Sequence, residues 1–294
     1  MGLFLIKPER GHQTLREIKT EEIINAVAKL CIDANCNLNC DIYSALESAK
    51  KTEKSPIGVE ILNQLTENAD IAKAEQVPIC QDTGMAVVFV EIGQEVHISG
   101  GLLTDAINAG VRKGYTEGYL RKSVVADPFI RENTKDNTPA VIHYDMVEGD
   151  RLKITVAPKG FGSENMSKIF MLKPSAGIEG AKDAIIKAID EAGPNPCPPM
   201  IVGVGVGGNF EMSAYLAKKA LLRPLGSHSD KPHLREMEEE LLERANKLGI
   251  GPQGLGGRTT VLGINVEGYP THIAGMPVAV NISCHVTRHA EVIL

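Results

Sequence analysis

Apolar positions recur at helical spacing through the first quarter of the chain. After Thr20, a plausible N-cap, the residues Ile23, Ile24, Val27, Leu30 and Cys31 fall on one helical face. The polar run 35–39 reads as a connection. A second helix from about Asp41 spaces Ile42, Leu46 and Ala49 by three and four. Ser55-Pro56 reads as an N-cap with proline at the first helical position. The third helix carries Val59, Leu62, Leu65 and Ala69 inward and ends near Ala74. Residues 12–75 are thus predicted to be helical.

From residue 85 the pattern changes. Residues 85–92 are almost continuously apolar and predict a strand. A helix over 104–118 and a polar loop through Asn137 follow. Strands over 140–146 and 151–157 meet at Glu148-Gly149-Asp150, a hairpin signal. Residues 159–165 read as a flexible loop of polar donors. A helix over 178–192 ends at Gly193-Pro194. A strand over 200–206 runs into a helix over 211–222. The Glu-rich helix 232–248 is expected to turn its acids to solvent, and strands over 259–267 and 271–282 close the series. This order predicts an α/β class with mixed sheets. A helical segment (1–75) would pack on an α/β body (76–294) that carries a cleft among loops, the whole forming a single domain over 1–294.

Composition narrows the functions. Hydrophobic residues make up 43% and charged residues 23% of 294, as in soluble globular chains. Aromatics are 4% with no Trp, so the core must be aliphatic. Net charge is −6 without a basic run, which argues against nucleic-acid binding. No apolar stretch reaches the length of a bilayer span, so no membrane partner is expected. Met1–Ile6 is too short for a leader core, and Ile6 does not fit an acylation site. With no export signal, the 6 Cys are expected to be reduced thiols or metal ligands, and the expected location is cytoplasmic.

Cys31, Cys36 and Cys40 lie close in sequence but would not share a helical face, and they read as packing or loop residues. Gly203, Gly205 and Gly208 match GxGxxG, yet two of them lie inside a strand. A backbone nest at the following helix suits them better than a dinucleotide site. His285 and His289 read as exposed or hydrogen-bonded edge residues. The remaining thiols, Cys80, Cys197 and Cys284, each sit at a sharp local break. Cys80 stands in Pro-Ile-Cys-Gln-Asp-Thr-Gly, beside the carboxylate of Asp82; Cys197 is ringed by Pro196, Pro198 and Pro199. Three thiolates without a close pair disfavour structural zinc. An iron–sulfur cluster held by three of them would keep one iron open as a Lewis acid.

Five motifs then share one resemblance: Cys-Gln-Asp-Thr-Gly at 80–84, Lys-Gly-x-Gly-Ser-Glu-Asn at 159–165, Asn-x-Cys-Pro-Pro at 195–199, Gly-Ile-Gly-Pro-Gln-Gly at 249–254 and Cys-His-x-x-Arg-His at 284–289. Together they cover nearly the whole chain, which resembles the alpha subunit, or N-terminal domain, of class I iron–sulfur fumarate hydratases. The resemblance implies a 4Fe-4S cluster on Cys80, Cys197 and Cys284. It implies substrate contacts from Gln81, Asp82, Arg121 and the backbone of Gly162, with Asp82 also an acid/base group. It further implies a fumarate or malate substrate and a beta subunit that completes the site, since the chain stops at Leu294, just past the third Cys motif. The alpha subunit of L-tartrate dehydratase is the nearest alternative. A non-catalytic iron–sulfur electron-transfer subunit and an NAD-dependent dehydrogenase are alternatives of other classes.

Overall fold

The computed structural model describes residues 15–294. The readings of Met1–Ile6 and of helix over 12–14 lie outside the described residues. The chain builds a layered α/β fold, in agreement with the class read from its periodicity.

Strand β1 (Arg16–Lys19) precedes helices α1 (Thr20–Cys36), α2 (Cys40–Thr52) and α3 (Pro56–Glu75). The opening of the supposed helical segment is therefore a strand, which pairs in parallel with β3 (Val96–Ser99) and buries Ile18 between exposed neighbours. Lys19, not Thr20, occupies the N-cap of α1. The Ser55 cap is present, its side chain accepting from the Gly58 N–H at 3.2 Å. On α3 the buried face is Ile61, Leu62, Thr66, Ala69 and Ala72, rotated from the expected one so that Val59 and Leu65 are only half-buried.

The first four-stranded sheet has the order β10-β5-β2-β4, with β2 (Met85–Gly93), β4 (Val141–Val147), β5 (Leu152–Lys159) and β10 (Ala290–Ile293). The expected hairpin is overturned. β4 and β5 do not pair; β2 lies between them, parallel to β4 and antiparallel to β5. β2 is apolar on both faces and so takes the interior position, hydrogen-bonded on both edges. The Glu148-Gly149-Asp150 turn wraps the end of β2, where a Cβ on Gly93 would lie 2.3 Å from the Gly149 carbonyl oxygen. Ile23, Val27 and Cys31 of α1 meet Ile107, Val111 and Tyr115 of α4 (Leu103–Glu117) over one face of this sheet.

The second sheet runs β6-β9-β7-β8, with β6 (Lys168–Leu172), β7 (Met200–Gly208), β8 (Val261–Thr271) and β9 (Met276–Ser283). Val202 and Val204 pack beneath α6 (Gly177–Ala192) and α8 (Pro232–Asn246). On the opposite face of β7 a Cβ at Gly203 or Gly205 would lie 2.1 Å from the carbonyl oxygen of Ala217 or Ser213 in α7 (Phe210–Ala220). The glycines thus admit a helix backbone against the strand. Gly207 likewise makes room for Tyr269, whose carbonyl oxygen would lie 2.0 Å from an added Cβ, so the run is built for close packing. α7 reaches back to the first sheet, where the Tyr215 hydroxyl donates to Asp145 at 2.7 Å.

The acids of α8 are not all solvated. Glu238 is 3% exposed and accepts from Arg223, from the Val266 N–H at 2.8 Å and from the Ser229 N–H at 3.2 Å.

Glu53 closes α2 as a clasp, accepting from the N–H groups of Lys54, Ser55, Arg258 and Thr259 at 2.7–3.0 Å. Burial alone would raise its carboxyl, but the N–H groups outweigh that and hold it at about 2. A value depressed in the folded state contributes stability above the ordinary carboxylate range, and the contribution disappears as pH falls through the folded value. Wild type is therefore expected to exceed Glu53→Gln in denaturant midpoint at neutral pH, with the gap closing between about pH 4.5 and pH 2. A gap independent of pH would contradict this.

No helix among the described residues is long and apolar enough to cross a membrane.

Candidate active site

The segments carrying Cys80, Cys197 and Cys284 come from three places and meet. Cys80 lies between α3 and β2, Cys197 between α6 and β7, and Cys284 just beyond β9. Ile79 and Val286 share a small apolar cluster, with Cys284 packed against it. The His285 ring donates from Nδ1 to the Cys197 carbonyl oxygen at 3.0 Å; a carbonyl only accepts, so this nitrogen carries the proton. Arg288 donates to the Asp82 carbonyl oxygen at 2.6 Å. Burial pushes the Cys197 thiol up, and the neighbouring Cys284 and Cys80 push it in the same direction. Such an influence on Cys197 requires proximity. All three thiols are unpaired, Cys197 being exposed and the other two half-buried.

Local sequence explains the display of Cys197. Its φ is +55° between prolines, and the 249–254 loop lies over the segment. Gln253 donates twice to the Pro198 carbonyl oxygen, from its backbone at 2.8 Å and its side chain at 2.9 Å. Gly254 is required there, since a Cβ would fall 2.2 Å from that of Pro194.

Asp82 is fixed on both oxygens, by the Gly84 N–H and the Phe161 N–H, each at 3.0 Å. Residues 161–164 form a single helical turn, α5 (Phe161–Glu164), and not the flexible loop expected; Lys159 belongs to β5. A Cβ at Gly160 would sit 3.2 Å from Asp82 Oδ2, a tight contact that its absence relieves. Gly162 stands in the first turn of α5, where N–H groups have no intrahelical acceptor. Gln81 is exposed, and its side-chain oxygen lies 3.5 Å from Cys80 Sγ. Arg121 is held beside this turn by Thr83, whose hydroxyl donates to the Arg121 carbonyl oxygen at 3.1 Å. The fully buried Tyr115 hydroxyl reaches the carbonyl oxygens of Thr83 and Gly84 at 2.7 and 3.1 Å. Asn137, also fully buried, ties Ser123 and Val124 to Gly84.

Asp82 and Arg121 open on one cavity of about 530 Å³, together with Ser123, Arg131, Phe161 and Asn165. Sequence reading missed Arg131, Ser123 and Asn165. The signal available was the Asp127 side chain, which accepts from the N–H groups of Phe129 and Ile130 at 2.8 Å and turns Arg131 back. None of the thiols lines this cavity, although Cys80 is two residues from Asp82. A larger hollow, about 860 Å³ between α7 and the first sheet, contains neither the thiols nor Asp82.

Cys31 is buried, and burial pushes its thiol up to about 12, so it is protonated and inert. Cys36 is buried and Cys40 exposed at the start of α2. His289 exchanges hydrogen bonds with Asn39.

Among the described residues, no His, Cys, Asp and Glu side chains form a group of at least three suited to one metal ion. A larger group stays open, since an iron–sulfur cluster takes each thiolate on a different iron. Three soft, unpaired donors at one locus fit such a group.

The fumarate hydratase (Fumerase) family model matches residues 24–293. The chain belongs to that family. A Methanocaldococcus jannaschii protein provisionally named an L(+)-tartrate dehydratase subunit alpha is 42% identical over 275 residues, covering 92% of this chain and 96% of that one. The L(+)-tartrate dehydratase subunit alpha of Escherichia coli O157:H7 is 33% identical over 258 residues, covering 86% of this chain and 84% of that one. In this family member the motifs at 80–84, 195–199 and 284–289 meet in space, and those at 159–165 and 249–254 are hydrogen-bonded to them.

Proposed function

We propose that this chain is the cluster-bearing alpha subunit of a class I hydro-lyase that interconverts fumarate and malate. The observation that carries the reading is the meeting of three remote cysteine segments beside the fixed carboxylate of Asp82. Cys80, Cys197 and Cys284 would hold a 4Fe-4S cluster, which when bound supplies a Lewis acid toward the substrate hydroxyl.

The chain's own side chains supply the remaining chemistry. A dicarboxylate needs cationic and N–H partners, and Arg121, Arg131 and the first turn of α5 with Gly162 offer them around one cavity. Gln81 would contact the substrate from the thiol side. Asp82, held on both oxygens, would move a proton at a defined position rather than by chance encounter. The cavity opens to solvent through the exposed Arg121 and Arg131, and a beta subunit would complete it. The alpha-subunit names of the relatives support such a partner.

L-tartrate is the second reading, favoured by those same names. The deciding experiment is anaerobic reconstitution with iron and sulfide, with and without the beta subunit, followed by turnover of malate, fumarate and L-tartrate. Malate and fumarate turnover at about 1–10³ s⁻¹, only with both subunits, is expected. Preference for tartrate transfers the assignment to that substrate. Full activity of this chain alone defeats the half-site reading. A redox signal indifferent to all three acids points to electron transfer.

A further inference from the structure

Beside Ser283 lies a small hollow of about 20 Å³ with Lys159, Lys218, Arg288 and Thr287 on one side and apolar groups, Phe89, Leu221 and Leu222 among them, on the other. Its volume exceeds the roughly 10–15 Å³ that one water needs, and it matches a single water- to halide-sized occupant. The three cations are enclosed. Lys159 is 6% and Arg288 4% exposed as residues, and the Lys218 side chain is 16% exposed.

Carboxylates alone do not balance their charge, and among the described residues the Cys284 thiol is the one other acidic group close enough to act on Lys159. Glu164 is the only carboxylate among the described residues that pairs with any of them, and it serves both Lys159 and Lys218. Arg288 has no carboxylate partner there; its terminal nitrogen donates to the Asp82 carbonyl oxygen, and its Nε is buried with no partner at all. Lys159 is occupied by Ser163, Gly160 and Glu164. Lys218 bonds only Glu164 and keeps further N–H groups. A buried cation set with spare donors costs free energy unless an acceptor meets it, and a charged donor is best met by an anion.

We propose that this hollow is a binding site for one small monovalent inorganic anion of halide size, held by Lys218 and Arg288 Nε with the charge of Lys159 beside them. Two cations in excess of one carboxylate favour an anion over a neutral water. The hollow is lined by neither Asp82 nor Arg121, although Arg288 also donates to the Asp82 carbonyl oxygen, and the proposal does not depend on the hydro-lyase reading.

Crystals of the full chain grown in bromide, measured at the bromine absorption edge, are expected to show an anomalous peak in the hollow. In solution, replacing gluconate by bromide at constant ionic strength is expected to raise Tm by about 2–4 °C when bromide is at about ten times its dissociation constant. Gluconate is too large to enter. In Lys218→Met the bromide-dependent rise is expected to vanish. Density without anomalous signal, meaning water alone, would overturn the proposal. So would equal Tm in both salts for the wild-type chain, or a rise that Lys218→Met retains in full.

Discussion

Asp82→Asn is expected to lower kcat of the assembled enzyme by about 10²–10⁴-fold, the usual worth of a positioned proton-transfer group. The substitution keeps the side chain's size and one acceptor oxygen. Asp82 accepts from Gly84 and from Phe161, so an amide must turn its NH₂ toward one of those N–H groups. That mismatch is expected to cost about 1–3 kcal/mol of stability, small beside the kinetic loss. KM is expected to change little if Arg121, Arg131 and the backbone donors carry substrate binding. Wild-type kcat with a raised KM would make Asp82 a binding residue only. Solvent deuterium exchange into malate, followed by NMR, separates the two because it reads the proton step itself.

Glu238→Ala is expected to cost about 3–5 kcal/mol of stability. Glu238 lies on α8 yet bonds Arg223 at the end of α7, Val266 on β8 and Ser229 in the loop before α8. Truncation strands the Arg223 guanidinium, 18% exposed, with only Glu267 as a charged partner. It also strands the Val266 and Ser229 N–H groups. Glu238→Gln keeps the acceptor oxygen and is expected to lose less. Urea midpoints at pH 7 measure both. A loss below about 1 kcal/mol for the alanine variant would show that Glu267 alone satisfies Arg223.

These two residues mark where the sequence was legible and where it was not. Asp82 stood out because a thiol, an amide and a carboxylate adjoin between Pro78 and Gly84. Glu238 did not, because one acid among five on a helix gives no sign that a distant arginine faces it. The helices of the N-terminal quarter followed their apolar spacing, and the Ser55 cap lies where its sequence put it. The hairpin over 140–157 failed because pairing is decided by which strand is apolar on both faces, and that strand, β2, lies 50 residues earlier. The glycines of β7 carried a ligand-like pattern for a packing reason visible only with α7 in place. Arg131 was hidden by a loop whose shape depends on Asp127 and on the buried Asn137.

The direct seating of α7 on β7 reaches beyond packing. Cys80 is carried by the leading end of β2 in one sheet, while Cys197 and Cys284 flank β7 and β9 in the other. The spacing of the three cysteine segments therefore depends on layer thickness. With no side chain at Gly203 or Gly205, the seat of α7 on β7 is gauged by main-chain atoms, which have no rotamers to swap. A seat gauged in this way fixes one wall of the gap between the two sheets.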